Sequence, residues 1–169
     1  MPRPPARHQP SLNLRKRLEK ARRIAVLAVG STIRGDDAAG MLVADHLAEL
    51  RAAPSDRLRI FRGETAPENL TGEIKAWKPT HLVIIDSADL GLAVGQATLI
   101  EPDDIRNARS FSTHGLPVVM IIRYLLEFLA CKVTVIGIQP HCLEFGRPVH
   151  PDVAAAARRL AEEIHEAAG

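Results

Sequence analysis

Short apolar runs rich in β-branched residues alternate with segments of helical periodicity along this chain, and this alternation constrains its fold more than any other feature. The first run, residues 24–29, is apolar throughout and ends at Gly30, as strands buried on both faces of a parallel sheet do. We expect it to be the first and central strand. Strands that alternate with helices pair in parallel through right-handed crossovers, so the pattern predicts an α/β fold.

The other elements complete a single domain over residues 24–169. Strands are predicted at 58–63, 81–86, 96–100 and 132–138, with 96–100 at an edge of the sheet. Helices are predicted at 39–50, 67–78, 115–130 and 151–167. Together with a short helix ahead of the first strand, about five strands and five helices predict a three-layer α/β/α sandwich around a mostly parallel sheet.

Residues 1–23 form a basic N-terminal arm ahead of this domain. The arm holds eight of the 22 Lys and Arg residues but one of the 20 acids, and residues 2–10 include four prolines. Residues 11–23 contain good helix formers and predict a short helix. Because the arm has no aromatic residue for base stacking, we favour a solvated tail or extra helix over a nucleic-acid-binding segment. No nucleic-acid partner is expected.

Composition indicates the cellular compartment. The chain has no run of eighteen apolar residues that would span a membrane, and its N-terminus lacks the continuous apolar stretch of a secretory signal. Cys131 and Cys142 form no CxxC pair, which argues against a disulfide scaffold and against a cysteine-based zinc site. We therefore expect a soluble, cytoplasmic protein with no membrane partner.

Polar residues follow several predicted strands, at the sheet edge where open α/β sheets bind ligands. The candidates are Asp36 and Asp37 after the first strand, Glu64, Glu68 and Asn69 after the second, Asp86 and Asp89 after the third, and His114 before the long apolar helix. Two carboxylates and an imidazole would form a three-point cradle for a divalent metal. The imidazole favours zinc, nickel, cobalt or iron over magnesium or calcium.

The same residues also have ordinary structural interpretations. Asp36 or Asp37 could cap the following helix, and for Asp36 we favour the cap. Asp86 could cap a loop, and His114 could be a hydrogen-bonded loop histidine.

Other kinds of site receive little support. The loop at residues 30–40 fits neither GxGxxG nor a GxxxxGK phosphate loop, and its two acids would repel phosphate. A cysteine peptidase would need the adjacent residues His141 and Cys142 to bring imidazole and thiol into contact, which neighbours in sequence rarely do. Ser112 lacks the GxSxG context of a serine nucleophile.

Five ordered sequence blocks resemble the hydrogenase maturation endopeptidases, in particular the branch that serves formate hydrogenlyase and related membrane hydrogenases. The blocks are AVGSTIRGDDAAG, GETAPENL, VIIDSADLG, STHGLP and VIGIQPHCLEFG, and the similarity covers residues 24–165. The resemblance implies a phosphorylase/hydrolase-like three-layer fold. It also implies an endopeptidase that removes the C-terminal extension of the large-subunit precursor of nickel–iron hydrogenase after nickel insertion.

The resemblance assigns roles to individual residues. Asp37, Asp86 and His114 match the family's two metal-binding carboxylates and its histidine, and catalysis is expected to run through that metal. The metal is expected to be nickel already held by cysteines of the substrate, and other divalent first-row ions are expected to bind in vitro. Substrate contacts are expected from Glu68, Asn69, Thr113 and Gln139.

The sequence departs from the family pattern at two positions of the first loop. Ser31 stands where Asn is usual, and Ala38 where Gly is usual. Because Gly permits backbone conformations that Ala does not, a slight shift of this loop is expected. Two other functions stay open: a non-catalytic metal-sensing or chaperone module on the same fold, and an enzyme that acts on a different precursor or peptide.

Overall fold

A five-stranded sheet forms the centre of the computed structural model, which describes residues 12–51, 55–100 and 115–169. The strand order is β2-β1-β3-β5-β4, and every neighbouring pair is parallel except β4 and β5. The strands are β1 (Ile24–Val29), β2 (Leu58–Glu64), β3 (His81–Ser87), β4 (Ala97–Ile100) and β5 (Lys132–Ile138).

Helices cover both faces of this sheet. They are α1 (Leu14–Leu18), α2 (Ala39–Leu50), α3 (Thr71–Trp77), α4 (Gly115–Phe128) and α5 (Pro151–Ala168). Side chains of β1 alternate between the faces: Ile24 and Val26 pack in a core with α1, α2 and α5, whereas Ala25 and Leu27 pack in a second core with α3 and α4. The predicted three-layer α/β/α arrangement is confirmed.

Two details of the sequence prediction were wrong. The first strand lies inside the sheet, but β3 and not β1 is the middle strand. The segment predicted as one helix over 67–78 is a 3-10 turn, Pro67–Leu70, followed by α3, which ends where Lys78 adopts a left-handed conformation with φ 55°. Strand 96–100 does lie at an edge.

The short helix expected in the basic arm is present as α1 and belongs to the core. Its apolar residues Leu14 and Leu18 are fully buried and pack in the same cluster as α2 and α5, while the basic residues between them face outwards. Among the residues that the structure describes, every helix is too short or too polar to cross a bilayer.

His81, at the start of β3, is buried in the sheet. Its Nε2 shares a hydrogen bond with Thr134 Oγ1 at 2.7 Å. Burial, together with the positive charges of Lys132 and Arg17, lowers the pKa of His81 to about 4. The imidazole is therefore neutral in the folded protein at pH 7.

We predict that His81 makes the protein less stable as the pH falls below about 6.5. In that range His81 is protonated in the unfolded chain but stays neutral in the folded chain until about pH 4. The free energy of unfolding therefore falls by up to about 3 kcal/mol. Urea unfolding at pH 7 and pH 4.5 should show a smaller loss of stability for His81→Gln than for the wild type. His46→Gln, on the outer half of α2, is the control; equal pH dependence in all three proteins would contradict the prediction.

Candidate active site

The turn after β1 brings Asp37 back to the end of that strand. Gly30 has φ 132°, and a Cβ at this position would lie 1.8 Å from the carbonyl oxygen of Asp37, so only glycine fits. Its N–H donates to Glu64 O at 2.8 Å, which ties the turn to β2. The chain then forms a 3-10 turn, Gly35–Ala38, before α2.

Asp37 is buried and oriented by hydrogen bonds from two directions. Its Oδ2 accepts the backbone N–H of Ser31 at 3.1 Å, and its Oδ1 accepts the hydroxyl of Ser87 at 3.3 Å. Ser87 directly follows Asp86 at the end of β3. The predicted meeting of the two strand ends is therefore present, with Asp37 held against the β3 end.

Asp86 is 1% exposed, and neither of its carboxylate oxygens has a hydrogen-bond partner. Burial raises the pKa of Asp86 well above its ordinary value, and the nearby Asp37 carboxylate raises it further. The backbone amide of Ser87 lowers the pKa by a smaller amount, although it is not placed to form a hydrogen bond with the carboxylate. Buried carboxylates without partners are rare in folded proteins and concentrate at functional sites. Asp86 is therefore a strong candidate for a group that acts on a ligand.

We predict that Asp86→Asn makes the protein more stable at pH 7. A neutral amide of nearly the same shape removes a buried, unpartnered acid beside a second acid, and the free energy of unfolding should rise by about 1–3 kcal/mol. Urea unfolding measures this difference. Asp89→Asn is the control, because Asp89 is exposed and accepts a hydrogen bond from Gln139; a less stable Asp86→Asn would show that the carboxylate has a partner.

His114 and Thr113 lie outside the described residues, so their predicted roles stay predictions. Within residues 12–51, 55–100 and 115–169, no group of three or more His, Cys, Asp and Glu side chains is placed to hold a metal ion. The described part of the site supplies two carboxylates of the predicted donor set, Asp37 and Asp86. Helix α4 begins at Gly115, directly after His114.

Glu68 and Asn69 lie on the 3-10 turn after β2, and both are exposed. This turn contacts α4, the helix that follows His114. The two side chains are thus accessible on the same side of the sheet as α4, and their predicted substrate contacts stay predictions.

Gln139, the fourth predicted substrate contact, is buried and fully hydrogen-bonded within the protein. Its Oε1 accepts the N–H groups of Leu90 at 2.7 Å and Leu92 at 3.2 Å, and its Nε2 donates to Asp89 Oδ1 and Pro140 O. The amide thereby fixes the loop after β3, next to Asp86. Its contact with substrate stays a prediction.

Asp36 does not cap α2, contrary to our interpretation of the sequence. Helix α2 has no side-chain cap. Instead, the buried Asp36 carboxylate accepts three backbone N–H groups of the segment after β5: His141 at 2.7 Å, Cys142 at 3.0 Å and His150 at 2.6 Å. We call residues 139–150 the clamped segment. Sequence reasoning missed this role because the partners are 105 to 114 positions away.

Further contacts join the clamped segment to the first loop. Asp36 N–H donates to Cys142 O at 2.9 Å. Gly35 has φ 51°, and a Cβ there would lie 2.5 Å from Cys142 O. The ring of His141 packs against that of His150, with centroids 5.2 Å apart, and Cys142 is a half-buried free thiol. Through these contacts, His141 and Cys142 help to hold the clamped segment against the first loop.

The two departures from the family pattern are compatible with this loop. Ser31 acts on Asp37 through its backbone N–H, a group that any residue except proline provides. Ala38 has φ −72° and ψ −6°, a conformation that does not require glycine.

Comparison with known proteins agrees with this architecture. The family model for the hydrogenase maturation protease HycI matches residues 41–167. Hydrogenase 3 maturation protease of Escherichia coli is 34% identical over 139 residues, covering 82% of this chain and 86% of that protein.

Solved structures of such proteases share the fold. The NiFe hydrogenase maturation protease HycI from Thermococcus kodakarensis superposes with a TM-score of 0.81 at 31% identity, covering 92% of this chain and 97% of that one. The hydrogenase maturating endopeptidase HybD of Escherichia coli gives a TM-score of 0.70 at 27% identity, covering 84% and 89%. With the family model spanning most of its length, this chain belongs to the hydrogenase maturation proteases.

Proposed function

We propose that the chain is a nickel-dependent endopeptidase that removes the C-terminal extension of the large-subunit precursor of nickel–iron hydrogenase after nickel insertion. The observation that carries this proposal is the buried Asp86 carboxylate, which has no partner and lies beside a second acid, Asp37. Burial and mutual repulsion disfavour the charged form of such a pair, and a nearby cation would stabilise it. A precursor that carries nickel would supply that cation.

This electrostatic arrangement would select the loaded precursor. The attraction between a divalent ion and the two carboxylates of Asp37 and Asp86 is strong in a site of low dielectric. A precursor without the ion would gain none of this binding energy. His114 would complete the donor set with an imidazole, which suits nickel and also other divalent first-row ions in vitro. The binding energy of the correct cargo thus becomes a checkpoint before cleavage.

Peptide hydrolysis at this site needs a group that orients water. Asp37 is held by Ser31 and Ser87, so its carboxylate has a fixed direction from which to accept a proton from the attacking water. The water oxygen forms the new bond to the scissile carbonyl carbon, the C–N bond breaks, and the proton leaves on the amine. Glu68, Asn69, Thr113 and Gln139 are proposed to contact the precursor chain, and the reaction is proposed to occur in the cytoplasm.

The test is the mass of the purified precursor after incubation with the protein. We expect a C-terminal peptide to be lost from the nickel-loaded precursor and not from the nickel-free one. Cleavage of both forms would contradict nickel dependence. Tight binding of the loaded precursor with no change in mass would favour a non-catalytic metal-sensing or chaperone module.

A further inference from the structure

Two apolar side chains are exposed on the loops that carry the Asp36 contacts. Phe145, in the clamped segment, is 75% exposed, and Ile33, in the first loop, is 58% exposed. The loops are joined directly at this point, because Gly146 N–H donates to Ile33 O at 2.8 Å. We call Ile33 and Phe145 the apolar rim.

The apolar rim lies next to the candidate active site. Ile33 precedes Asp37 by four residues, which limits their separation to about 14 Å even for extended chain, and the 3-10 turn Gly35–Ala38 shortens it. Phe145 lies between Cys142 and His150 in the clamped segment, and the N–H groups of both residues donate to Asp36, the neighbour of Asp37. The rim is therefore within reach of a chain that is bound at Asp37.

The backbone that carries the rim is tied to the body of the protein. Isolated exposed apolar residues are common and need no explanation, but here both side chains project from loops that are fixed by a buried carboxylate and by a backbone hydrogen bond. A backbone that is already held in place loses little conformational entropy on binding. The charges beside Phe145 also cancel, since Arg147 Nε and Glu144 Oε2 form an ion pair at 3.0 Å. This local neutrality favours an uncharged, apolar partner segment.

Resting on the proposed peptidase function, we infer that Ile33 and Phe145 form a docking surface for an apolar stretch of the precursor next to its scissile bond. Aromatic side chains such as Phe are enriched in protein interfaces, where a few residues carry most of the binding energy. The rim would then determine how tightly the precursor binds. The acids Asp37 and Asp86 would determine whether it is cut.

The test compares Phe145→Ala and Ile33→Ala with two matched controls at the far ends of helices. Phe128→Ala removes an exposed aromatic ring at the end of α4, and Leu50→Ala removes an exposed aliphatic side chain at the end of α2. With nickel-loaded precursor, each rim variant should raise KM about tenfold, the change typical of losing an interface anchor. The kcat and the melting temperature should stay at wild-type values, and both controls should keep the wild-type KM.

Several outcomes would overturn the inference. The first is an unchanged KM in Phe145→Ala, and the second is an equal rise in Phe128→Ala. A third is self-association of the wild type, seen by sedimentation and abolished by Phe145→Ala, which would assign the rim to a second copy of this chain. If the wild type binds the precursor without cutting it, the proposed function fails, but the ratio of Kd values between Phe145→Ala and wild type still decides the role of the rim.

Discussion

An Asp37→Asn variant is expected to lose processing of the nickel-loaded precursor by on the order of 10³-fold, within the range that a positioned general base contributes. Asparagine keeps the shape and can still accept the N–H of Ser31, but it neither attracts a cation nor accepts a proton from water. The fold should not weaken, because the Asp37 charge is one of the causes that raise the pKa of Asp86. The first-order rate of peptide release measures the loss.

The combination of lost activity and retained stability is the discriminating result. Urea unfolding of Asp37→Asn should give a free energy equal to or above that of the wild type, because the substitution relieves a like-charge contact. Ser87→Ala is a useful comparison, since it removes the hydroxyl donated to Asp37 and leaves both acids in place. Processing by Asp37→Asn at a rate near that of the wild type would place the essential acid elsewhere.

An Asp36→Ala variant is expected to be less stable than the wild type by about 4 kcal/mol. Three hydrogen bonds to one buried carboxylate would be lost together, and hydrogen bonds to a charged group are worth roughly 1.5–3 kcal/mol each before non-additivity is considered. The backbone N–H groups of His141, Cys142 and His150 would lose their acceptor. Hydrogen exchange at these three amides should accelerate together.

The control for this variant is Asp45→Ala. Asp45 pairs with Arg62 at the surface, with nearly half of each side chain exposed, so its loss should cost less than about 1 kcal/mol. Asp36→Asn should be nearly as unstable as Asp36→Ala, because the amide nitrogen would face an N–H donor of the clamped segment. If Asp36→Ala unfolds within about 1 kcal/mol of the wild type, the clamped segment is held mainly by its other contacts.

The sequence was informative wherever the physical cause is local. A run such as Ile24–Val29 is apolar at every position because both faces of a parallel strand are buried, so the strand is visible without its neighbours. The positions of Asp37 and Asp86 were also predictable, since residues that follow parallel strands meet at one edge of the sheet. The five strands and the α/β class therefore follow from periodicity alone. The strand ends offered Asp37 and Asp86 only among several candidates, and the family resemblance singled out this pair.

The tertiary structure decided what depends on contacts between distant parts of the chain. No local pattern distinguishes β1 from β3 as the middle strand, because their order is set by how the crossovers pack. Asp36 looked like a helix cap since that use of aspartate is local and common, whereas its three actual partners come from a segment more than a hundred residues away. The unpartnered state of Asp86 and the meeting of Ile33 with the Phe145 loop are likewise properties of packing, since burial and hydrogen-bond satisfaction exist only once the chain has folded.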